Sequence, residues 1–234
     1  MSKLYLIPAP LGENMAFDKV FPPVNAQVIN VLDCFVVENV RTARRFIKKI
    51  APDVEIEHLT FAELNEHTKE ADLECIVDIL KSGRDIGLMS EAGCPAIADP
   101  GADVVALSQR FDYEIIPLVG ASSILLSLMA SGFNGQSFAF LGYLPVKEPE
   151  RTKTIRKIEN RAHNEQQTQI FIETPYRNMK LLDELLKILQ PHTRLCIAAD
   201  LTLPTQYVRT KSIAQWKKAL PDINKRPCVF LIYK

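Results

Sequence analysis

Ser90-Glu91-Ala92-Gly93-Cys94-Pro95-Ala96-Ile97-Ala98-Asp99-Pro100-Gly101 lies between a strand pattern and a helix pattern, and that position decides the fold class. Ahead of it, Asp85-Ile86-Gly87-Leu88-Met89 is a short apolar run of the kind that forms a buried strand. Behind it, Ala102 to Gln109 has the residue choice and spacing of a helix. The stretch is therefore the connection of a strand to a helix in an α/β unit. Ligands of open α/β sheets bind at that end, where the carboxyl ends of parallel strands border a crevice. Gly93, Pro95, Pro100 and Gly101 suit a loop that brings bare backbone close to a ligand. An ordinary rigid loop would carry the same punctuation.

The same pattern recurs on either side. Leu4-Tyr5-Leu6-Ile7 reads as a first strand that opens into Pro8-Ala9-Pro10-Leu11-Gly12. Cys34-Phe35-Val36-Val37 is a second strand, followed by a helical segment from Glu38. Arg41, Arg44, Arg45 and Lys48 of that segment share one helical face, either a phosphate-contacting patch or a solvated surface. Val54 to Leu59 alternates and predicts an edge strand. A helix over Lys69 to Lys81 follows, stopped by Gly83, and His67 before it reads as a surface histidine. Tyr113 to Leu118 is a further strand, ending in Val119-Gly120-Ala121-Ser122-Ser123 ahead of an apolar helix from Ile124 to Ala130. Ser122 or Ser123 would cap that helix, whose free N–H groups favour a ligand. Ser131 to Gln136 is turn-rich and reads as a hinge between halves. Beyond it, Phe138 to Pro145, Gln169 to Glu173, Leu195 to Leu201 and Cys228 to Tyr233 read as strands. Helices are expected after Pro149, where Lys153, Arg156 and Lys157 lie near one face and form a second candidate patch for RNA, and over Met179 to Leu189. The fold class is α/β: two α/β domains, residues 1–119 with a mostly parallel sheet and residues 120–234 with a mixed sheet, closing a ligand cleft.

Composition sets bounds on function. The chain has 234 residues, with 28 Lys and Arg balanced by 28 Asp and Glu, so overall charge points to no partner. A local basic face on a neutral protein remains compatible with nucleic acid. Cys34, Cys75, Cys94, Cys196 and Cys228 form no close pair, which argues against a disulfide framework and against a metal site. No signal peptide and no membrane-spanning run is legible, so a cytoplasmic protein is expected. Neither a G-x-G-x-x-G fingerprint nor a G-K-[ST] phosphate loop occurs.

Five loops in register resemble one known group. Pro8 to Gly12, Ser90 to Gly101, Gly120 to Ser123, Phe140-Leu141-Gly142-Tyr143-Leu144-Pro145 and Glu173-Thr174-Pro175-Tyr176-Arg177 are similar to the tetrapyrrole-methylase-like superfamily. Within it they resemble the ribosomal RNA small subunit methyltransferase I group. That resemblance implies S-adenosylmethionine as cofactor, ribosomal RNA or the small ribosomal subunit as partner, transfer to a cytidine ribose 2′-hydroxyl, and a homodimer. The group's Ser-Asp-Ala-Gly-Thr-Pro stands here as Ser90-Glu91-Ala92-Gly93-Cys94-Pro95, and its Glu-Asp-Thr-Arg as Glu38-Asn39-Val40-Arg41. Its Ser-Pro-His-Arg becomes Thr174-Pro175-Tyr176-Arg177.

By the same resemblance, Ala9, Pro10, Leu11, Gly12, Ser90, Glu91, Ala92, Gly93, Cys94, Ala98, Ser122, Ser123, Thr174 and Ala199 are expected at the cofactor. Arg41, Arg44, Asn65, Tyr143, Tyr176 and Arg177 are expected at the substrate. Methyl transfer from a sulfonium needs in-line positioning more than covalent chemistry, and calls for no metal. A ribose hydroxyl benefits from a general base, for which Glu38, Glu66 and Glu173 are candidates because each flanks a predicted strand end. Methylation of a small molecule such as a tetrapyrrole, and cofactor binding without catalysis in RNA binding or assembly, are the competing expectations.

Overall fold

The computed structural model describes residues 2–65 and 70–234. Two compact units emerge, Met1–Ser122 and Ser123–Lys234. Glu66 and His67 lie outside the described residues.

The first unit runs β1 (Lys3–Leu6), α1 (Phe17–Val20), α2 (Pro23–Val31), β2 (Cys34–Val37), α3 (Val40–Ile50), β3 (Thr60–Glu63), α4 (Glu70–Lys81), β4 (Ile86–Met89), α5 (Gly101–Arg110) and β5 (Glu114–Pro117). Its sheet has the order β3-β2-β4-β1-β5, with every pairing parallel. β2 and β4 are buried along their whole length, which is why both read as unbroken apolar runs. Leu4, Val36, Leu64, Ile76, Leu80, Ile86, Leu88 and Val104 form a core on one side of the sheet. Because β4 returns into the gap between β1 and β2, the strands β4, β1 and β5 become neighbours. Their three Gly/Pro loops consequently leave the sheet side by side, at the reversal of strand order where α/β sheets take ligands.

The edge strand of this sheet is Thr60–Glu63, not Val54 to Leu59. Ile56–His58 instead forms a short 3-10 turn. A parallel partner for β2 must start again at the same end of the sheet, and residues 51–59 are spent on that return. The Thr60 N–H then bonds the Asp33 carbonyl at 2.8 Å, setting the register Cys34↔Thr60.

The second unit runs α6 (Ser123–Ser131), β6 (Phe138–Tyr143), α7 (Glu150–Asn164), β7 (Thr168–Ile172), α8 (Asn178–Ile188), β8 (Arg194–Ala199), β9 (Tyr207–Ser212), α9 (Ile213–Trp216) and β10 (Cys228–Tyr233). Strand order is β6-β7-β10-β8-β9; β6 and β7 are parallel and the other pairs antiparallel, so the sheet is mixed. Central β10 is buried throughout. Successive β10 side chains feed opposite cores: Phe230 and Ile232 pack with α7 and α8, and Val229 and Leu231 with Leu128 of α6.

Two expectations need correction here. Strand β9 escaped the sequence reading because it lies at the sheet edge, and its Arg209 and Lys211 break any apolar run. Ser131 to Gln136 is a turn inside the second unit and no hinge between halves, since α6 before it already packs on β9 and β10. Among the described residues, no helix is long and apolar enough to cross a membrane. No group of three or more His, Cys, Asp or Glu among them could hold a metal ion.

Candidate functional site

The loops after β1 and β4 are joined by backbone, and the loop after β5 is tied to them by a side-chain contact and a close approach. Ala9 and Gly93 form an isolated bridge, exchanging N–H to carbonyl bonds of 2.8 and 3.1 Å. Cys94 Sγ donates to the Ala121 carbonyl at 3.6 Å, and burial pushes its thiol up from the ordinary value. Gly120 closes the third side. A Cβ there would sit 2.3 Å from Pro8 Cβ and 2.6 Å from Pro8 Cγ, so only glycine fits at this approach. Gly93 is required for a different reason: its φ is +76°, while the space around it is ordinary.

The loop from Ser90 to Gly101 has an unusual backbone of its own. Ala96 and Ala98 both adopt positive φ, at 66° and 64°. Asp99 holds that shape, its Oδ1 accepting from the N–H groups of Ala96 at 3.0 Å and Gly101 at 2.7 Å. Alanine in the left-handed region costs about 1–2 kcal/mol, and such strain persists only where surrounding contacts fix it. Glu91, Ala92 and Ala98 are exposed, so the crest of the loop faces outward.

Beside these loops, the carboxyl ends of β2, β3 and β4 carry a linked set of polar groups. Glu38 Oε2 accepts from the Glu91 N–H at 2.8 Å, and Thr42 Oγ1 donates to Glu91 Oε1 at 3.3 Å. Asn39 Oδ1 caps α3 by accepting from the Thr42 N–H at 3.1 Å. Glu63 accepts from Asn65 Nδ2 at 2.9 Å and from the Val40 N–H at 3.2 Å. Of the expected site residues, Ala9, Pro10, Leu11, Gly12, Ser90 to Cys94, Ala98, Ser122, Glu38, Arg41, Arg44 and Asn65 thus all belong to this unit. Sequence reasoning missed Thr42, Glu63 and Asp99. Asp99 lay within the decisive loop, two residues before the helix, the spacing of an aspartate that bonds backbone N–H groups.

α3 exposes Arg41, Arg44, Arg45 and Lys48, as its spacing predicts. Several of its cations are engaged locally. Lys48 Nζ donates to the carbonyls of Pro52 at 2.6 Å and Val54 at 3.3 Å, and the Arg44 guanidinium stands 5.2 Å over the Phe61 ring.

The second unit holds the remaining expected residues. Glu173 is buried, and Oε1 accepts from Arg177 Nε at 3.0 Å and the Thr174 N–H at 2.8 Å. Its Oε2 accepts from Arg151 Nη2 at 3.1 Å, and Arg151 pairs in turn with Glu184. Burial alone would raise the Glu173 pKa, but the Thr174 N–H and the two guanidinium groups outweigh it and hold the carboxyl below its ordinary value. A carboxylate so fixed is an anchor and a weak base. Tyr176 is 67% exposed, with the Arg177 guanidinium 5.1 Å over its ring, and Tyr143 is 59% exposed. Ser123 is the first residue of α6. Ala199 is fully buried at the end of β8, paired with Cys228 and Tyr207.

A parallel unit whose Gly/Pro loops converge at one edge, followed by a mixed-sheet unit, is the plan of a two-unit α/β protein. Residues 23–216 match the model of the tetrapyrrole (corrin/porphyrin) methylases, and the chain belongs to that family. It is 35% identical over 191 residues to the ribosomal RNA small subunit methyltransferase I of Bacillus subtilis (strain 168), covering 81% of this chain and 60% of that protein. The corresponding protein of Vibrio cholerae is 29% identical over 236 residues, covering 98% of this chain and 76% of that one. The chain thus spans about three-fifths of the Bacillus relative's length. Among solved structures, the methyltransferase CobJ aligns over 100% of this chain and 95% of its own, with a TM-score of 0.64 and 15% identity. Uroporphyrin-III C-methyl transferase from Thermus thermophilus complexed with S-adenyl homocysteine aligns over 100% and 98%, with a TM-score of 0.59 and 13% identity. At those identities the structures establish the fold alone.

Proposed function

We propose that this protein is an S-adenosylmethionine-dependent methyltransferase that acts in the cytoplasm on a ribose 2′-hydroxyl of small-subunit ribosomal RNA. The observation that carries the reading is the welded trio of loops, Pro8 to Gly12, Ser90 to Gly101 and Leu118 to Ser122, in a chain 35% identical to a ribosomal RNA methyltransferase. The residues present fit the donor. Fixed backbone from glycine-bounded loops suits its amino-acid end, and exposed Glu91 offers a carboxylate to its ribose hydroxyls. When bound, S-adenosylmethionine supplies an electrophilic methyl group on a sulfonium.

The chain's own contribution is positioning and proton handling. Asp99 sets the backbone of the Ser90 to Gly101 loop, and the bridge from Gly93 to Ala9 fixes that loop against the first strand. Glu38, half-buried at the end of β2 and bonded to the Glu91 N–H, is the candidate base for the proton of an acceptor hydroxyl. Glu173 is the poorer candidate, because two arginines stabilise its ionised form. Tyr143, Tyr176 and Arg177 offer a stacking and phosphate-contacting group on the second unit. Leu125 and Met129, one turn apart on α6 and 51% and 79% exposed, support pairing of two copies as a homodimer.

Calorimetry with S-adenosylmethionine, followed by turnover of a Glu38→Gln variant, tests this reading. Donor binding should be unchanged in the variant, while kcat falls by about 10²–10⁴. A parent protein that binds no donor overturns the whole reading. Parent-like turnover by Glu38→Gln removes Glu38 from the role of base.

A further inference from the structure

The balanced charge of the whole chain conceals two opposite halves. Residues 1–122 carry 11 Lys and Arg against 19 Asp and Glu, and residues 123–234 carry 17 against 9. One unit is therefore strongly acidic and the other strongly basic. The cations of α3, one of the two faces whose spacing suggests phosphate contact, belong to the acidic unit. They stand on the element that Glu38, Glu63 and Glu91 border at its N-terminal end.

On the basic unit, α7 presents a different kind of row. Lys153, Arg156, Lys157, Asn160, Arg161 and Asn164 line one shallow hollow along the helix, with Glu165 at its C-terminal end. Their spacing of three and four residues keeps them on one face, over about 16 Å at 1.5 Å per residue. Lys153 is paired with Glu150 at 3.2 Å and Arg161 with Glu165 at 3.5 Å, at the two ends of the row. Arg156 and Lys157, in the middle and exposed, have no partner among the described residues. The opposite face of the same helix is locked into the core by Ile155, Ile158 and Ala162, and by buried Arg151 with its two carboxylates. The cationic row is thus carried on a rigid support. The two amides within it can bond ribose hydroxyls or base edges between phosphates.

We propose that the RNA substrate is held by the basic second unit through this α7 row, with Arg156 and Lys157 on the phosphate backbone, and not by α3. The proposal rests on the RNA reading above. Regular anions spaced along a strand fit a row of cations and amides on a straight helix. Diffuse steering by the charge of the unit would bring RNA near but would not distinguish α7 from other basic sites.

The test is binding of fluorescently labelled 16S ribosomal RNA transcript to the full chain across a salt series. Three double charge reversals are compared: Arg156→Glu with Lys157→Glu, Arg44→Glu with Arg45→Glu, and Lys217→Glu with Lys218→Glu. All six positions are exposed, and donor binding and melting temperature are checked for each. The α7 variant should lose at least tenfold in affinity and flatten the slope of log affinity on log salt by about 1.4–1.8, the share of the slope that two neutralised phosphates carry. The α3 variant and the Lys217/Lys218 variant should stay within about threefold of the parent. Equal losses in all three variants, or a loss confined to α3, overturn the α7 assignment and leave the RNA reading standing. An α7 variant defective only toward intact small subunits, and not toward the bare transcript, would make the partner a ribosomal protein and equally overturn it. A parent that binds no RNA overturns both readings.

Discussion

Replacing Gly120 by alanine probes the junction of the three loops with one atom. The new Cβ would lie 2.3 Å from Pro8 Cβ and 3.3 Å from Phe21 Cε1, against an optimum near 3.5–4.0 Å for carbon pairs. Pro8 cannot swing aside as a flexible side chain would, because its ring is part of the backbone. The next residue, Ala9, is bridged to Gly93, so a displacement of more than an ångström passes directly into the Ser90 loop. Overpacking of this kind costs about 1–3 kcal/mol. At about 2–4 °C per kcal/mol for a chain of this size, melting should fall by about 2–12 °C. Donor affinity, read by calorimetry, should fall by tenfold or more, since about 1.4 kcal/mol of misfit suffices for that factor. Gly135→Ala is the control: nothing lies within 4 Å of its added Cβ, and melting and donor binding should match the parent. A Gly120→Ala protein with the parent's melting temperature and donor affinity would refute the argument that these loops are sterically welded.

Gly93→Ala should behave differently, because the cost of about 1–2 kcal/mol comes from its φ of +76° and not from a clash; urea unfolding should show that loss, and a gain in stability would sink the interpretation. Arg151→Met leaves Glu173 and Glu184 short of a buried cation and should lower stability by about 3–5 kcal/mol. The pH dependence follows from Glu173: its carboxyl is held below the ordinary value of 4.5 in the folded chain, so its stabilisation is complete above that pH and is lost as pH falls through the folded value. Acid unfolding of Arg151→Met should accordingly begin at higher pH than in the parent, and coincident acid transitions would contradict the ion-pair assignment. Met129→Glu should convert a dimer to a monomer in light scattering at micromolar concentration; a parent that is already monomeric counts against α6 as the pairing face.

Legibility in the sequence followed burial. β2, β4 and β10 were readable because both faces are covered, which turns a strand into an unbroken apolar run. β9 was not, since an edge strand that alternates Arg209 and Lys211 with smaller residues looks like any polar segment. The false edge strand at Val54 to Leu59 shows the converse: alternation was present, but the register of a parallel neighbour selected Thr60–Glu63. At the site, glycine and proline marked all three loops, while the residues that tie them together left weaker traces. Glu63 and Thr42 act through the meeting of separate strand ends, a matter of strand order that no local window contains. Charge was legible and hidden at once. The chain total is zero, and only the division at Ser122 reveals an acidic unit and a basic one.

Transfer of labelled methyl from S-adenosylmethionine into small ribosomal subunits from cells lacking this protein tests the central claim most directly. The account predicts label in the 16S ribosomal RNA, at one nucleotide whose 3′ linkage has become resistant to alkali because its 2′-hydroxyl is methylated. Label that enters no RNA, or that appears instead in a tetrapyrrole offered in its place, would contradict it.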